Sequence, residues 1–167
     1  MAFSLSAFPV VGFSGSRAPS PASLSAVGVA LSRVSASAAV LVGCAAGVDR
    51  VVRLSCPRAS VFSAAQFGSG RGSFAARSVA FVRSLAAVGG CLVSFPSGAC
   101  PAAVLPSARP AACFCGAGSG SWASAAFAVG LGVPVLLFAP AVPAWGFVSL
   151  GRGWWLLLPA VVQPSLL

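Results

Sequence analysis

Residues 8–34 of this chain read FPVVGFSGSRAPSPASLSAVGVALSRV. The apolar run over residues 8–13 predicts a buried strand, and the turn residues Gly15-Ser16-Arg17 follow it directly. Ser20 with a proline after it is typical of a helix start, so the Ala-rich segment predicts a helix over residues 20–34. A strand, a Gly/Ser turn and a helix in that order form the unit from which parallel α/β sheets are built.

The same unit recurs along the chain. Further strands are predicted over residues 39–42, 60–63, 91–95, 111–115 and 133–138, and further helices over residues 48–54, 73–87 and 122–129. Apolar strands separated by helices imply a sheet that is covered on both faces. The predicted fold class is therefore α/β, a Rossmann-like three-layer sandwich with a mostly parallel sheet of about five to six strands. The Gly/Ser turns would then share the carboxyl edge of the sheet, where such folds bind ligands.

The pattern changes after residue 138. We predict a Rossmann-like domain over residues 1–138 and an apolar, Trp/Pro-rich C-terminal extension over residues 139–167. The uncharged stretch 122–151 is long enough to span a bilayer, but glycines and prolines interrupt it, which favours a helix, a turn and a strand. Three roles stay open for the extension: covering a sheet face, forming a dimer contact or touching a membrane surface.

The composition reflects the gene as much as the protein. The chain is 58% hydrophobic and 7% charged, which excludes intrinsic disorder, and it contains no Lys, Glu, His, Tyr, Asn, Thr or Ile. Every codon for those seven residues has adenine at its first or second position, so we infer an adenine-depleted gene. The net charge of +9 is therefore weak support for a nucleic-acid partner. Asp49, the one carboxylate side chain, is a stronger functional candidate because it persists against this bias.

The cysteine pattern predicts free thiols. No His and no CxxC pair accompany the cysteines, so a zinc site through Cys100, Cys113 and Cys115 is not expected. The N-terminus has no positively charged region of the kind that begins a secretory signal. We therefore expect a cytoplasmic protein with reduced thiols and no metal. The six cysteines are Cys44, Cys56, Cys91, Cys100, Cys113 and Cys115.

Several turn residues are candidates for binding a phosphorylated ligand. The loop 116–121, GAGSGS, opens a helix, so its main-chain amides and the hydroxyls of Ser119 and Ser121 suit an anion; the alternative is a flexible turn. No Lys follows, which excludes a Walker loop. Arg17 is either a bidentate anion ligand or a solvated turn residue. Arg77 is either a second anion contact or a surface residue.

Asp49 lies at the start of a predicted helix, two residues after Gly47. Its carboxylate is an acceptor suited to a ribose hydroxyl or a base amino group. The alternative is a favourable charge at the helix N-terminus, worth a few tenths of a kcal/mol.

Five segments in order resemble a known superfamily. They are VVGFSGSRAP, VLVGCAAGVDRVVR, GSFAARSVAFVRSL, CLVSFP and GSGSWASAAFAVGLGVPVLLF. Together they resemble SLOG, the superfamily that joins the DNA-processing protein DprA/Smf with the LOG proteins. The chain is most similar to its short YspA/DUF2493-type members, which are often found on phages and plasmids. The resemblance covers residues 8–138 and implies a Rossmann-like fold that binds a nucleotide or a nucleotide-derived phosphate ligand, such as an ADP-ribose-like molecule.

The resemblance also implies a set of site residues. The positions that match the family motifs are Gly15, Ser16, Arg17, Gly43, Ala45, Gly47, Asp49, Arg77, Gly118, Gly120 and Ser121. One departure concerns catalysis, because LOG enzymes carry a Glu where this chain has Ser124. With no His, Lys, Glu or Tyr to act as an acid or base, we name no catalytic residue, require no cofactor and favour a binding module, with a sensor role, over an enzyme.

Two alternatives remain beside this nucleotide-binding prediction. The first is a DprA-like single-stranded DNA-binding protein, suggested by ten arginines and by aromatic residues such as Phe74 and Trp122 near loops. The second is a membrane or interaction protein that uses the Trp-rich extension. The expected partner is a small phosphorylated ligand; a nucleic acid and a homodimer stay open, and a membrane is not expected.

Overall fold

A computed structural model describes residues 3–159 of the chain, apart from the side chain of Arg71. Its centre is a seven-stranded sheet with the order β3-β2-β1-β4-β5-β7-β6. The strands are β1 Val10–Gly15, β2 Ala39–Gly43, β3 Ser60–Phe62, β4 Cys91–Phe95, β5 Val135–Phe138, β6 Val148–Gly151 and β7 Trp154–Leu157. The helices are α1 Pro21–Ser32, α2 Val48–Ser55, α3 Arg71–Ala87, α4 Pro110–Cys113 and α5 Gly120–Gly130.

The first five strands pair in parallel and the last two are antiparallel. The α/β class and the mostly parallel sheet are therefore confirmed, while the number of strands is seven rather than five to six. The parallel part is consistent with a Rossmann-like sheet. β2 and β3 lie on one side of β1, and the chain then crosses back to place β4 and β5 on the other side.

Two hydrophobic clusters cover the opposite faces of the sheet. One packs α1 and α2 against β1 and β2, through residues such as Val27, Val52 and Phe13. The other packs α3 and α5 against β4 and β5, through residues such as Leu85 and Phe127. Helices on both faces explain why the central strands are apolar throughout, since neither face meets water.

Helix α1 begins as its sequence predicts. The Ser20 hydroxyl accepts a hydrogen bond from the Ser23 amide at 3.1 Å, and Pro21 occupies the first helical position, where its missing N–H is not needed. The predicted strand over residues 111–115 is wrong, because Pro110–Cys113 forms one helical turn instead. In that turn the Cys113 thiol donates to the carbonyl oxygens of Leu105 and Ser107, which fixes the turn against the preceding loop.

The chain after Phe138 continues the same sheet. β7 pairs with β5, and its Trp154 ring packs 5.1 Å from Phe138 and 5.9 Å from Phe95. Trp145 lies edge-on to Trp122 at 5.9 Å. The described part of the Trp/Pro-rich extension thus packs on the domain, and its residues 160–167 lie outside the described residues. Within residues 3–159, no helix has both the length and the apolar composition that crossing a bilayer requires.

Candidate functional site

A cleft of about 680 Å³ opens at the carboxyl edge of the sheet, where β1 and β4 are neighbours. This volume lies within the range of small-molecule sites. The walls come from the loop after β1, the start of α2, the first half of α3 and the loop that precedes α5. Loops after adjacent parallel strands diverge there because the connections leave β1 and β4 in opposite directions along the sheet.

Ten of the twelve predicted ligand-binding residues line this cleft. They are Gly15, Ser16, Arg17, Ala45, Asp49, Arg77, Gly118, Ser119, Gly120 and Ser121. The other two, Gly43 and Gly47, lie beneath it and are absent from its walls. The cleft thus brings together residues that are up to about a hundred positions apart in the sequence.

The loop after β1 is held by main-chain hydrogen bonds. The Ser16 amide donates to the Phe95 carbonyl at 2.9 Å, and the Ser16 carbonyl accepts from the Val48 amide at 3.0 Å. The Ser16 hydroxyl accepts from the Ala18 amide at 3.0 Å, which shapes the turn itself. Arg17 is exposed and its guanidinium stands 4.9 Å from the centre of the Phe74 ring. The loop therefore presents Arg17 to the cleft from a fixed backbone.

Asp49 and Arg77 form a buried ion pair at the base of the cleft. Arg77 Nη1 donates to Asp49 Oδ2 at 3.2 Å, and the Ala45 amide donates to the same oxygen at 3.2 Å. Burial raises the pKa of Asp49 above its ordinary value, against the opposing effects of Arg77 and of the Ala45 amide. Arg77 Nε is buried and has no hydrogen-bond partner within the described part of the chain. The guanidinium therefore retains donor capacity after pairing with Asp49.

Gly43 and Gly47 position this site rather than line it. A Cβ at Gly43 would collide with the Arg77 guanidinium and the Asp49 carboxylate, so only glycine lets the pair lie over the end of β2. Gly47 has φ +71°, and a Cβ there would overlap the backbone of Ser16 and Arg17. These contacts hold the loops after β1 and β2 against each other.

The loop before α5 contains two glycines with positive φ and ends at a capped helix start. Gly116 and Gly118 have φ of +81° and +92°, a region that side chains rarely adopt. The Ser119 hydroxyl accepts from the Trp122 amide at 3.4 Å and caps the 11-residue helix. The positive end of the α5 dipole thus points toward the cleft. A Cβ at Gly120 would meet no atom within 4 Å.

Further cleft residues were not among the predicted site residues. Phe74 and Ser78 come from α3, Ser97 follows β4, and Phe114 follows α4. Ser97 could have been found by the rule that ligands lie at the carboxyl ends of strands. Phe74 is named above only as an aromatic residue near a loop, and Ser78 only follows the predicted Arg77; the packing of α3 decides that both line the cleft.

Ser124, which stands where LOG enzymes have Glu, also lines the cleft. It is buried, and its hydroxyl donates to the Gly120 carbonyl at 2.9 Å within the helix. All six cysteines fall within the described residues and carry free thiols. Across residues 3–159, no three His, Cys, Asp or Glu side chains are grouped so that they could hold a metal ion.

Comparison of the chain with protein-family models, with curated proteins and with solved structures found no match. The resemblance to SLOG therefore stays a prediction that rests on the five segments quoted above.

Proposed function

We propose that this chain is a SLOG-like module that binds a nucleotide or a nucleotide-derived phosphate ligand in the cleft at the carboxyl edge of the sheet. The observation that carries the proposal is the meeting of Arg17, Arg77 and the loop 116–121 around one cleft. Guanidinium groups and glycine-loop amides at a helix N-terminus are the donors that proteins use for phosphate. An ADP-ribose-like molecule is one ligand of this class.

The phosphate would lie between the loop 116–121 and the guanidinium groups. The loop supplies main-chain amides, the hydroxyl of Ser121 and the helix dipole. Arg17 is exposed and free to turn toward the anion, while Arg77 lines the cleft and is fixed by Asp49. A preorganised cation loses little side-chain entropy on binding, which favours affinity.

Asp49 is suited to a hydroxyl or amino group of the same ligand. Its hydrogen bonds from Arg77 and from the Ala45 amide both end on Oδ2, so Oδ1 keeps lone pairs for another donor. A ribose carries such hydroxyls, whereas inorganic phosphate at neutral pH offers few donors. This acceptor favours a nucleotide-derived ligand over a simple anion.

The proposal is one of binding rather than catalysis. The Ser124 hydroxyl donates to the Gly120 carbonyl and the Cys113 thiol donates to two carbonyls, so neither group has a base beside it that would make it a nucleophile. Burial also raises the pKa of the Cys113 thiol, which disfavours the nucleophilic thiolate. A sensor that changes its partners when the ligand binds fits this set of groups.

Gly120→Val tests the proposal, because the valine side chain would enter the open space of the cleft without a clash. With AMP or ADP-ribose at about 100 times Kd, the wild-type protein gains about 2.7 kcal/mol, which raises Tm by roughly 5–10 °C. We expect Gly120→Val to keep the ligand-free Tm and to lose most of this rise.

Gly28→Val is the matched control. Gly28 lies in α1, away from the cleft, and a Cβ there also meets no atom within 4 Å. This variant should show the full rise in Tm. The absence of a rise in the wild-type protein with any phosphorylated ligand at millimolar concentration, or an equal rise in Gly120→Val, rejects the proposal.

Single-stranded DNA is the second candidate, and one observation favours it. Phe74 is 38% exposed beside Arg17, as a base-stacking site beside a phosphate contact would be. The other suggested aromatic residue, Trp122, is 1% exposed and donates through Nε1 to the Gly98 carbonyl, so it offers no free face. DNA binding would weaken steeply with salt, and its absence at low salt would reject this candidate.

The proposal retains two further expectations. A cytoplasmic location fits the six free thiols, since reducing compartments keep cysteines unpaired. A homodimer stays open, and sedimentation of the full chain with and without ligand would measure it.

A further inference from the structure

Phe74 is an aromatic residue placed at a ligand cleft without a role in the core. It lies in the first turn of α3 and lines the cleft with 38% of its surface exposed. Phe13 and Phe81 also line the cleft, but they are 0% and 2% exposed and belong to the hydrophobic clusters. Phe74 belongs to neither cluster. More than a third of its surface is therefore open to a ligand.

Two guanidinium groups lie near the Phe74 ring. The Arg17 guanidinium lies 4.9 Å from the ring centroid, and the Arg77 guanidinium lies 6.0 Å from it. Among the described residues, the Phe74 ring is the contact that the structure shows for the Arg17 guanidinium. A cation–π contact at an exposed site is weak, and an anionic ligand would compete for Arg17 effectively.

We infer that Phe74 is a stacking platform that selects ligands with an aromatic base, and that Arg17 leaves the ring for the ligand phosphate as the base arrives. The inference deepens the proposed function and rests on it. Helices α3 and α5 pack side by side on one face of the sheet, so their N-terminal turns form facing walls of the same cleft. A mononucleotide then has its phosphate at the loop 116–121 and its base at Phe74.

The stack also explains the placement of the charges. When Arg17 leaves Phe74, both residues lose their cation–π contact. The base of the ligand then stacks on Phe74 and its phosphate binds Arg17, so the ligand replaces the lost contact on both sides. A ribose phosphate without a base replaces the Arg17 contact only and leaves the ring exposed. The site should therefore discriminate between these two ligands through Phe74.

The test compares three ligands on Phe74→Leu by isothermal titration calorimetry: AMP, ribose 5-phosphate and inorganic phosphate. Removing the ring while keeping an apolar side chain should raise the Kd of AMP about tenfold. The Kd of ribose 5-phosphate and of phosphate should stay within about twofold, or fall slightly because Arg17 is released. A general structural defect would weaken all three ligands together.

Two further variants complete the test. Phe67→Leu changes another exposed phenylalanine, outside the cleft, and should leave all three Kd values unchanged. Phe74→Trp keeps an aromatic face and should preserve the preference for AMP over ribose 5-phosphate.

The outcomes separate this inference from the function on which it rests. If wild-type protein binds AMP and ribose 5-phosphate and Phe74→Leu weakens both equally or neither, the stacking role is overturned and the phosphate site stands. If the wild-type protein binds none of the three ligands, the proposed function fails and the stacking role fails with it.

Discussion

Asp49 and Arg77 depend on each other at the floor of the cleft. Their side chains are 5% and 11% exposed, and Gly43 leaves the space in which they meet. Removing one member of a buried pair leaves an uncompensated charge, which typically reduces stability by about 3–5 kcal/mol. Asp49→Ala removes both the charge and the acceptor of the Arg77 hydrogen bond, so it would mix a loss of ligand binding with a loss of stability. Asp49→Asn also removes the charge, but its side-chain oxygen can still accept from Arg77 Nη1, so it is the better variant.

The pH dependence of stability in the acidic range reports on Asp49, because the chain has no other carboxylate side chain. Burial raises its pKa above 3.8, so the folded state binds this proton more tightly than the unfolded state does. Its contribution to stability is full below pH 3.8 and is lost as the pH rises through the raised pKa. We expect the urea midpoint of the wild-type protein to fall over that range and then to level off.

Asp49→Asn should abolish this fall in the urea midpoint, because the variant has no carboxyl at this position to titrate. A wild-type midpoint that increases with pH across the same range would contradict the prediction, since that is the behaviour of a carboxyl whose pKa is lowered by folding.

At the scale of elements, most strands and helices follow from local pattern. β4 spans residues 91–95, as predicted. A short apolar run that follows a Gly-Gly turn is typical of a buried strand and too short for most helices. The error at residues 111–115 has a local cause. The apolar run Cys113-Phe114-Cys115 resembles a strand, but Pro110 starts a helical turn just before it.

The loop that begins α5 allows a prediction at this scale. Gly118 has φ +92°, whereas Gly120 is helical with open space around it. Gly118→Ala should reduce the free energy of unfolding by about 1–2 kcal/mol, because an alanine is strained at that φ. Gly120→Ala is the control and should change stability by a few tenths of a kcal/mol at most. Urea denaturation measures both, and equal values for the two variants would show that the loop relaxes freely.

At the scale of the whole molecule, the extension closes one side of the sheet. β7 pairs with β5 along its length and buries Leu156 and Leu157 to 8% exposure each. The Trp155 indole donates to the Ala139 carbonyl at 3.0 Å, which fixes the connection between the strands. Without β6 and β7, β5 would become an apolar edge strand with unpaired main-chain groups.

We therefore expect the chain truncated after Ala139 to aggregate or to lose most of its stability, with the full chain as control. Size-exclusion chromatography and thermal unfolding measure the outcome. A monomeric truncated chain that unfolds at the Tm of the full chain would mean that the extension is a separate interaction element instead.

The sequence by itself determined the α/β class, the parallel core and the loops that meet at the cleft, because apolar periodicity and Gly/Ser turns are local signals and parallel strands bring their carboxyl ends together. Only the tertiary structure decided the Asp49–Arg77 pair, the place of Phe74 and the addition of β6 and β7 to the sheet. Each of these depends on which surfaces of α3 and β5 meet distant segments. Such packing is a property of the assembled layers, and no local pattern of residues specifies it.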